Sequence, residues 1–257
     1  MDTELRDRVF LVTGGSKGLG RATAAALVAE GARVVLVGRT AAPLADAVAE
    51  FGAQNALPLT GNLAEPELAT RAVATALGRF GRLDGAMIST GGPAASRASD
   101  TGDDAWREAF ENVFLPPLRL ARAVANGLEQ PAGTQDAAIL MVLSTSVYRP
   151  LTSLALSNGL RPGLANLVRD LAFDWGPRGM RINGIAPGRI ATDRVFALDA
   201  RSGAPEAVRR KREANIPLRR YGEPEEFGRI AAFLLSPAAS YITGAVIPVD
   251  GGATYAD

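Results

Sequence analysis

The 257-residue chain contains no cysteine and no histidine. Without cysteine, disulfides and thiolate chemistry are excluded. Without histidine, His-based triads and His-containing metal sites are excluded too. No metal site is expected, and any general acid or base must be Tyr, Lys, Ser, Asp, Glu or Arg. An excess of one charge is also missing, because 28 basic residues meet 27 acidic ones. That balance gives no electrostatic reason for a nucleic-acid or anionic-membrane partner. The one dense basic run, Arg209-Arg210-Lys211-Arg212, is followed at once by Glu213 and reads as a solvated helix face. No stretch approaches the ~20 apolar residues of a membrane span. Met1 to Arg8 carries three acidic residues and no apolar run, unlike a signal peptide. A soluble, cytoplasmic protein is expected.

Hydrophobic residues make up 47% of the chain, enough for a sizeable core. Short apolar runs alternate with alanine-rich helical patterns, and no repeat or linker divides them. The strand candidates are Val9–Thr13, Val34–Val37, Ala56–Thr60, Gly85–Ser89, Ala138–Ser144, Arg181–Ala186 and Ala245–Val249. The helix candidates are Gly18–Glu30, Ala42–Phe51, Pro66–Phe80, Asp103–Leu128, Ala155–Trp175 and Pro224–Leu235. Continuous apolar strands imply a sheet with helices on both faces. The alternation predicts an α/β fold: one Rossmann-type domain over residues 1–257, with a doubly wound, seven-stranded parallel sheet. Ile190 to Tyr221 has mixed polarity and weak periodicity, and reads as an irregular insertion. Ligands bind beyond the strand C-termini in such folds, so this segment is expected to lie over the crevice and close on substrate, with a surface excursion of no role as the alternative.

The segment Thr13-Gly14-Gly15-Ser16-Lys17-Gly18-Leu19-Gly20 follows an apolar strand and opens an amphipathic helix. That context marks a dinucleotide site. Gly14 suits the tight turn, Gly18 a close approach of backbone to pyrophosphate, and Gly20 close packing of helix on sheet. The helix N-terminus offers unpaired N–H groups and a positive dipole end to phosphates. NAD sites usually carry an acid at the end of the second strand. Here the strand ends Val37-Gly38-Arg39. Arg39 and Lys17 together suit a 2′-phosphate, because guanidinium pairs with phosphate in a bidentate way. NADP(H) is the expected cofactor. Methyltransferases using S-adenosylmethionine share a glycine-rich first turn, but they too want an acid at that strand end.

The spacing Thr-Gly-x-x-x-Gly-x-Gly resembles the short-chain dehydrogenase/reductase family, and the likeness runs over essentially the whole chain. Asn62-Leu63 matches the family's adenine-flanking pair, and Asn112 its helix asparagine. Asn183-Gly184-Ile185-Ala186-Pro187-Gly188 resembles the turn beside the nicotinamide, followed by Ile190 and the matching Thr192. The segment Ile216–Gly222 and the ending through Gly252 look most like 3-oxoacyl-(acyl-carrier-protein) reductases. The resemblance implies cofactor contacts from Gly14, Ser16, Lys17, Gly18, Leu19, Gly20, Arg39, Asn62, Leu63, Thr90, Gly91, Arg161, Pro187, Gly188, Ile190 and Thr192. It also implies a homo-oligomer, a tetramer, with Asp103–Leu128 and Ala155–Trp175 supplying the faces.

Two departures stand out. The family's Asn-Asn-Ala-Gly is here Ser89-Thr90-Gly91-Gly92, whose small residues still let a cofactor pass. The family's catalytic group is a Ser, then Tyr-x-x-x-Lys thirteen residues on. Ser144 holds the serine position, and the count leads to Ser157-Asn158-Gly159-Leu160-Arg161. Ser157 thus stands for the tyrosine and Arg161 for the lysine. A serine hydroxyl is far less acidic than a phenol, and arginine stays protonated, so the usual proton relay is gone. Arg161 remains suited to a nicotinamide ribose, or to polarising a carbonyl. Tyr148, four residues beyond Ser144, is the candidate replacement donor, with loop packing or substrate stacking as alternatives. Asp103 and Asp104 read as helix-start residues. The sequence supports an NADP(H)-dependent oxidoreductase acting on a carbonyl or secondary alcohol, with a catalytically silent NADP(H)-binding protein as the alternative.

Overall fold

A computed structural model describes residues 2–128, 137–200 and 203–255. Among these residues, seven parallel strands form one sheet: β1 Val9–Thr13, β2 Arg33–Gly38, β3 Ala56–Thr60, β4 Gly85–Ile88, β5 Ala137–Val142, β6 Met180–Pro187 and β7 Val246–Val249. Their spatial order is β3-β2-β1-β4-β5-β6-β7. The chain winds outward from β1 in one direction, then returns to add β4 on its other side. The switch between β1 and β4 opens a crevice at their C-terminal ends, where an open α/β sheet binds its ligand.

The apolar strands bury both faces. In β1, Val9 and Leu11 join one core, while Phe10 and Val12 join the other. Val35 and Val37 of β2 likewise oppose Val34 and Leu36. The first core is closed by helices α3 Pro66–Phe80, α5 Leu115–Gly127 and α6 Ala155–Trp175. The second is closed by α1 Gly18–Ala29, α2 Ala41–Phe51 and α9 Pro224–Leu235. At the crevice, Thr13 Oγ1 donates to the Ser89 carbonyl at 2.8 Å and accepts from the Ser89 N–H at 2.6 Å. This pair pins the end of β1 to the chain leaving β4.

Two sequence expectations are corrected. Asp103–Leu128 is not one regular helix: α4 Asp103–Ala109 passes into a π turn at Phe110–Phe114 before α5 begins. Pro116 and Pro117 have no N–H to give the carbonyls one turn back, so the helix widens there. The expected irregular stretch at 190–221 contains two helices, α7 Asp193–Ala200 and α8 Pro205–Ala214. Charged α8 has no buried side chain, which is why no apolar stripe announced it. Residues 201 and 202 of that segment lie outside the described residues. No helix among the described residues is long and apolar enough to cross a membrane.

Candidate active site

The glycine-rich turn forms one wall of the crevice. Gly14 and Gly18 adopt φ of +64° and +55°, where a side chain would be strained. A Cβ on Gly20 would lie 2.2 Å from the Gly14 carbonyl oxygen, so the first turn of α1 presses directly on the chain entering it. Gly18 therefore sets backbone conformation as well as clearance. No side chain caps the N-terminus of α1, which leaves its positive end free to meet an anion. Lys17 precedes that helix and Arg39 follows β2. Both are exposed, and neither has an ion-pair partner among the described residues.

The opposite wall is the segment after β6. A Cβ on Gly18 would meet Thr192 Cγ2 at 3.6 Å, so the turn and this segment approach across the crevice. Pro187-Gly188 is braced from below: the Gly188 N–H donates to the Val249 carbonyl at 3.0 Å. Asp250 in turn accepts from the Gly252 and Thr254 N–H groups at 2.9 and 2.6 Å. Ile190 is buried in a β-bridge with Gly222. Beyond β3, Asn62 is exposed and its Oδ1 accepts from the Ala64 N–H at 3.2 Å, while Leu63 packs against the core. Ser16, Leu19 and Thr90 are half-buried along the same edge.

At the inner end, Ser144 follows β5 and caps a short 3-10 turn, its Oγ accepting from the Ser146 N–H at 3.1 Å. Ser157 and Arg161 lie one helical turn apart on the buried face of α6. The two hydroxyls of Ser146 and Ser157 are hydrogen-bonded at 3.0 Å. Arg161, 5% exposed, donates to the Val142 carbonyl at 2.6 Å and to the Gly91 carbonyl. Its guanidinium thus joins the chains leaving β5 and β4. No carboxylate among the described residues pairs with it. Burial, then the neighbouring Arg194, lowers its pKa to about 10. It remains a cation at neutral pH.

Two expected members of this group are placed elsewhere. The Tyr148 hydroxyl donates to the Val246 carbonyl of β7, and its ring lies 6.2 Å from that of Tyr255. Burial raises its pKa, which makes it a poorer acid. Asn112 lies in the π turn, exposed, with its amide donating to the Glu108 carbonyl at 2.9 Å. The neighbouring Val113 is the residue that turns inward. Asp103 and Asp104 occupy the first turn of α4, as expected, and pair with Arg107.

Three residues of the region escaped sequence reasoning. Ser146 supplies the partner of Ser157, and the Ser144-x-Ser146 pattern was its only signal. Arg194, in the first turn of α7, lies against Gly92 and Pro93. Asp199, buried in α7, accepts from Arg189 and from the Tyr221 hydroxyl, both at 2.8 Å. That latch holds α7 against the segment leaving β6. Burial and the bond to Asp199 push the Tyr221 phenol up to about 12.

Known proteins are similar to this chain in sequence and fold. A family model described as enoyl-(acyl carrier protein) reductase matches residues 14–254. An uncharacterized oxidoreductase of Mycobacterium tuberculosis is 34% identical, over 98% of this chain and 94% of its own. Galactitol 2-dehydrogenase (L-tagatose-forming) of Cereibacter sphaeroides is 33% identical, over 95% and 93%. The crystal structure of L-sorbose reductase from Gluconobacter frateurii, complexed with NADPH and L-sorbose, superimposes with a TM-score of 0.92 at 26% identity, covering 99% of both chains. The chain belongs to the short-chain dehydrogenase/reductase family and is an oxidoreductase of that family.

Proposed function

We propose that the protein is an NADP(H)-dependent oxidoreductase that interconverts a carbonyl and a secondary alcohol without the usual tyrosine–lysine relay. The supporting observation is the crevice itself, walled by the glycine turn and Thr192 and ending at buried, charged Arg161. The residues fit the cofactor: the turn leaves no Cβ in its path at Gly14 or Gly18, and Lys17 and Arg39 await a 2′-phosphate. Bound nicotinamide would supply the hydride. Arg161 would hold the nicotinamide ribose and would stabilise negative charge growing on the carbonyl oxygen. The Ser144 hydroxyl, whose oxygen already accepts from the Ser146 N–H, would donate a hydrogen bond to that same oxygen and keep its proton. The proton that completes the alcohol comes from water, because neither serine nor arginine is acidic enough to release one.

Relatives named for alcohols or carbonyls, and the NADPH complex of L-sorbose reductase, accord with this reading. The likeness of Ile216–Gly222 to 3-oxoacyl reductases adds 3-oxoacyl thioesters to the substrates to test. Lys17→Ala and Arg39→Ala should each weaken NADPH binding about tenfold while leaving NADH binding nearly unchanged, measured by quenching of protein fluorescence. Equal losses for both cofactors would remove the 2′-phosphate assignment. The occupancy of the tyrosine and lysine positions by Ser157 and Arg161 favours a second reading, a silent NADP(H)-binding protein. Tight NADPH binding with no turnover on ketones, 3-oxoacyl thioesters or secondary alcohols would decide for it.

A further inference from the structure

Gly91, on the chain leaving β4, is exposed and adopts φ of +74°. An L side chain is strained in that left-handed region. Beyond its chain neighbours, a Cβ there would meet no atom of the described residues within 4 Å. Crowding by the protein is therefore not what keeps this position small. What the conformation serves is one hydrogen bond. The Gly91 carbonyl accepts from Nη2 of Arg161, while Nη1 donates to the Val142 carbonyl at 2.6 Å. Held at two points, on the chains leaving β4 and β5, the guanidinium cannot swing about either one. Arg161 is 5% exposed, so a lost acceptor would not be replaced by bulk water, and the buried group would have to turn. These two bonds use two of its five N–H donors. Three remain for the ribose and the carbonyl oxygen. The motif that resembles the family's Asn-Asn-Ala-Gly carries glycine at its third position, which is residue 91. Two departures from the family pattern, Gly91 and Arg161, thus meet in a single bond.

We propose that Gly91 is a positioning residue that acts through Arg161: its left-handed turn aims a carbonyl at the guanidinium and so fixes where the remaining donors point. This rests on the NADP(H) oxidoreductase reading above and adds the residue that aims that site's cation. Relaxation of residue 91 to negative φ would carry its carbonyl away and leave Arg161 tied to Val142 alone. The guanidinium would still be charged, but its free N–H groups would no longer face one direction. An L side chain at this exposed position is therefore felt at the cofactor and not in the core.

The same glycine could instead leave room for the cofactor itself, so a double-mutant cycle separates the two roles. Gly91→Ala, Arg161→Met and the double variant are compared with wild type by quenching of protein fluorescence on NADPH binding, which needs no substrate. Each single variant should lose about five- to tenfold in NADPH affinity. The double variant should lose no more than about twofold beyond Arg161→Met, because without the guanidinium the carbonyl has nothing to aim. Gly91→Asn should recover most of the loss, since asparagine tolerates positive φ better than alanine. Should Gly91→Ala fail to fold, Gly91→Asn carries the same cycle. Losses that multiply in the double variant, to about 25- to 100-fold, would overturn the proposal and make Gly91 a clearance for the cofactor. Wild-type affinity in Gly91→Ala would overturn it as well, and so would an asparagine variant as weak as the alanine one. If the coupling is found but NADPH never reduces a substrate, the redox reading fails and the positioning role stands.

Discussion

Arg161 shows how chemistry and stability pull against each other at a single residue. Lowering its pKa from 12.5 to about 10 corresponds to about 3 kcal/mol against the charged form in the folded protein. Its bonds to Gly91 and Val142 return about 1 kcal/mol each. Removing the charge should therefore cost little stability. Arg161→Met is expected to stay within about 2 kcal/mol of wild type in urea unfolding, yet to lose tenfold or more in NADPH-dependent turnover. A variant that unfolds instead would make Arg161 a structural residue. The pH profile follows from the same shift. The cation is present below its pKa and lost as pH rises through about 10, so turnover should be level from pH 6 to 9 and fall beyond. For stability the sign is opposite: the unfolded chain holds that proton more tightly, so this group's penalty is relieved as pH rises from about 10 towards 12.5. That Ser157 and Arg161, proposed above to stand for the tyrosine and lysine, lie four residues apart on one helix was legible in the sequence. Where Tyr148 and Asn112 point was not, because four residues of chain do not say which strand a ring will reach.

Among the elements, α7 and α8 were the hardest to read, and the stretch from α7 to α9 carries testable contacts. Helix α9 was legible to the residue, since Pro224 and a run of apolar side chains mark it. Its start is held by Glu226, which accepts from the Glu223 N–H at 2.7 Å and from Arg220 at 2.7 Å through both oxygens. Arg220, then the Glu223 N–H, lowers the Glu226 pKa from 4.5 to about 2. A depressed carboxyl pKa stabilises the fold above about 4.5, and that contribution is lost as pH falls through about 2. Glu226→Gln should destabilise the protein by about 0.5–1 kcal/mol at pH 7, a small figure because solvent screens the pair. The difference from wild type should narrow below pH 4.5. Asp199 is the contrasting case, buried and answering both Arg189 and Tyr221. Asp199→Ala leaves two donors without that acceptor and should cost about 2–3 kcal/mol. Faster proteolysis within 193–214 would report the freed helices. No feature of the sequence pointed to Asp199, because its role depends on partners 10 and 22 residues away that only the fold brings together.

At the scale of the whole molecule, the strand–helix alternation was enough to give the sheet, because buried parallel strands are continuous apolar runs such as Val9–Thr13 and Val34–Val37. The crevice followed from the place where the winding reverses. Oligomeric assembly did not follow, although Phe173 of α6 is 86% exposed and offers an apolar face for it. We expect a homo-oligomer built on α4–α6, and Phe173→Ser should shift the mass seen by light scattering towards the monomer. Cofactor binding should also act on the whole fold. At a hundredfold excess over Kd, NADPH should add about 2.7 kcal/mol, raising Tm by roughly 5–10 °C, with a smaller rise for NADH. The most direct test of the central claim follows the hydride itself. NADPH deuterated at the transferable C4 position is incubated with the protein and the panel of ketones and 3-oxoacyl thioesters, and products are examined by mass spectrometry. The wild type should form an alcohol carrying one deuterium on the former carbonyl carbon, and Arg161→Met much less of it. Saturated binding of NADPH with no deuterium in any product would contradict it.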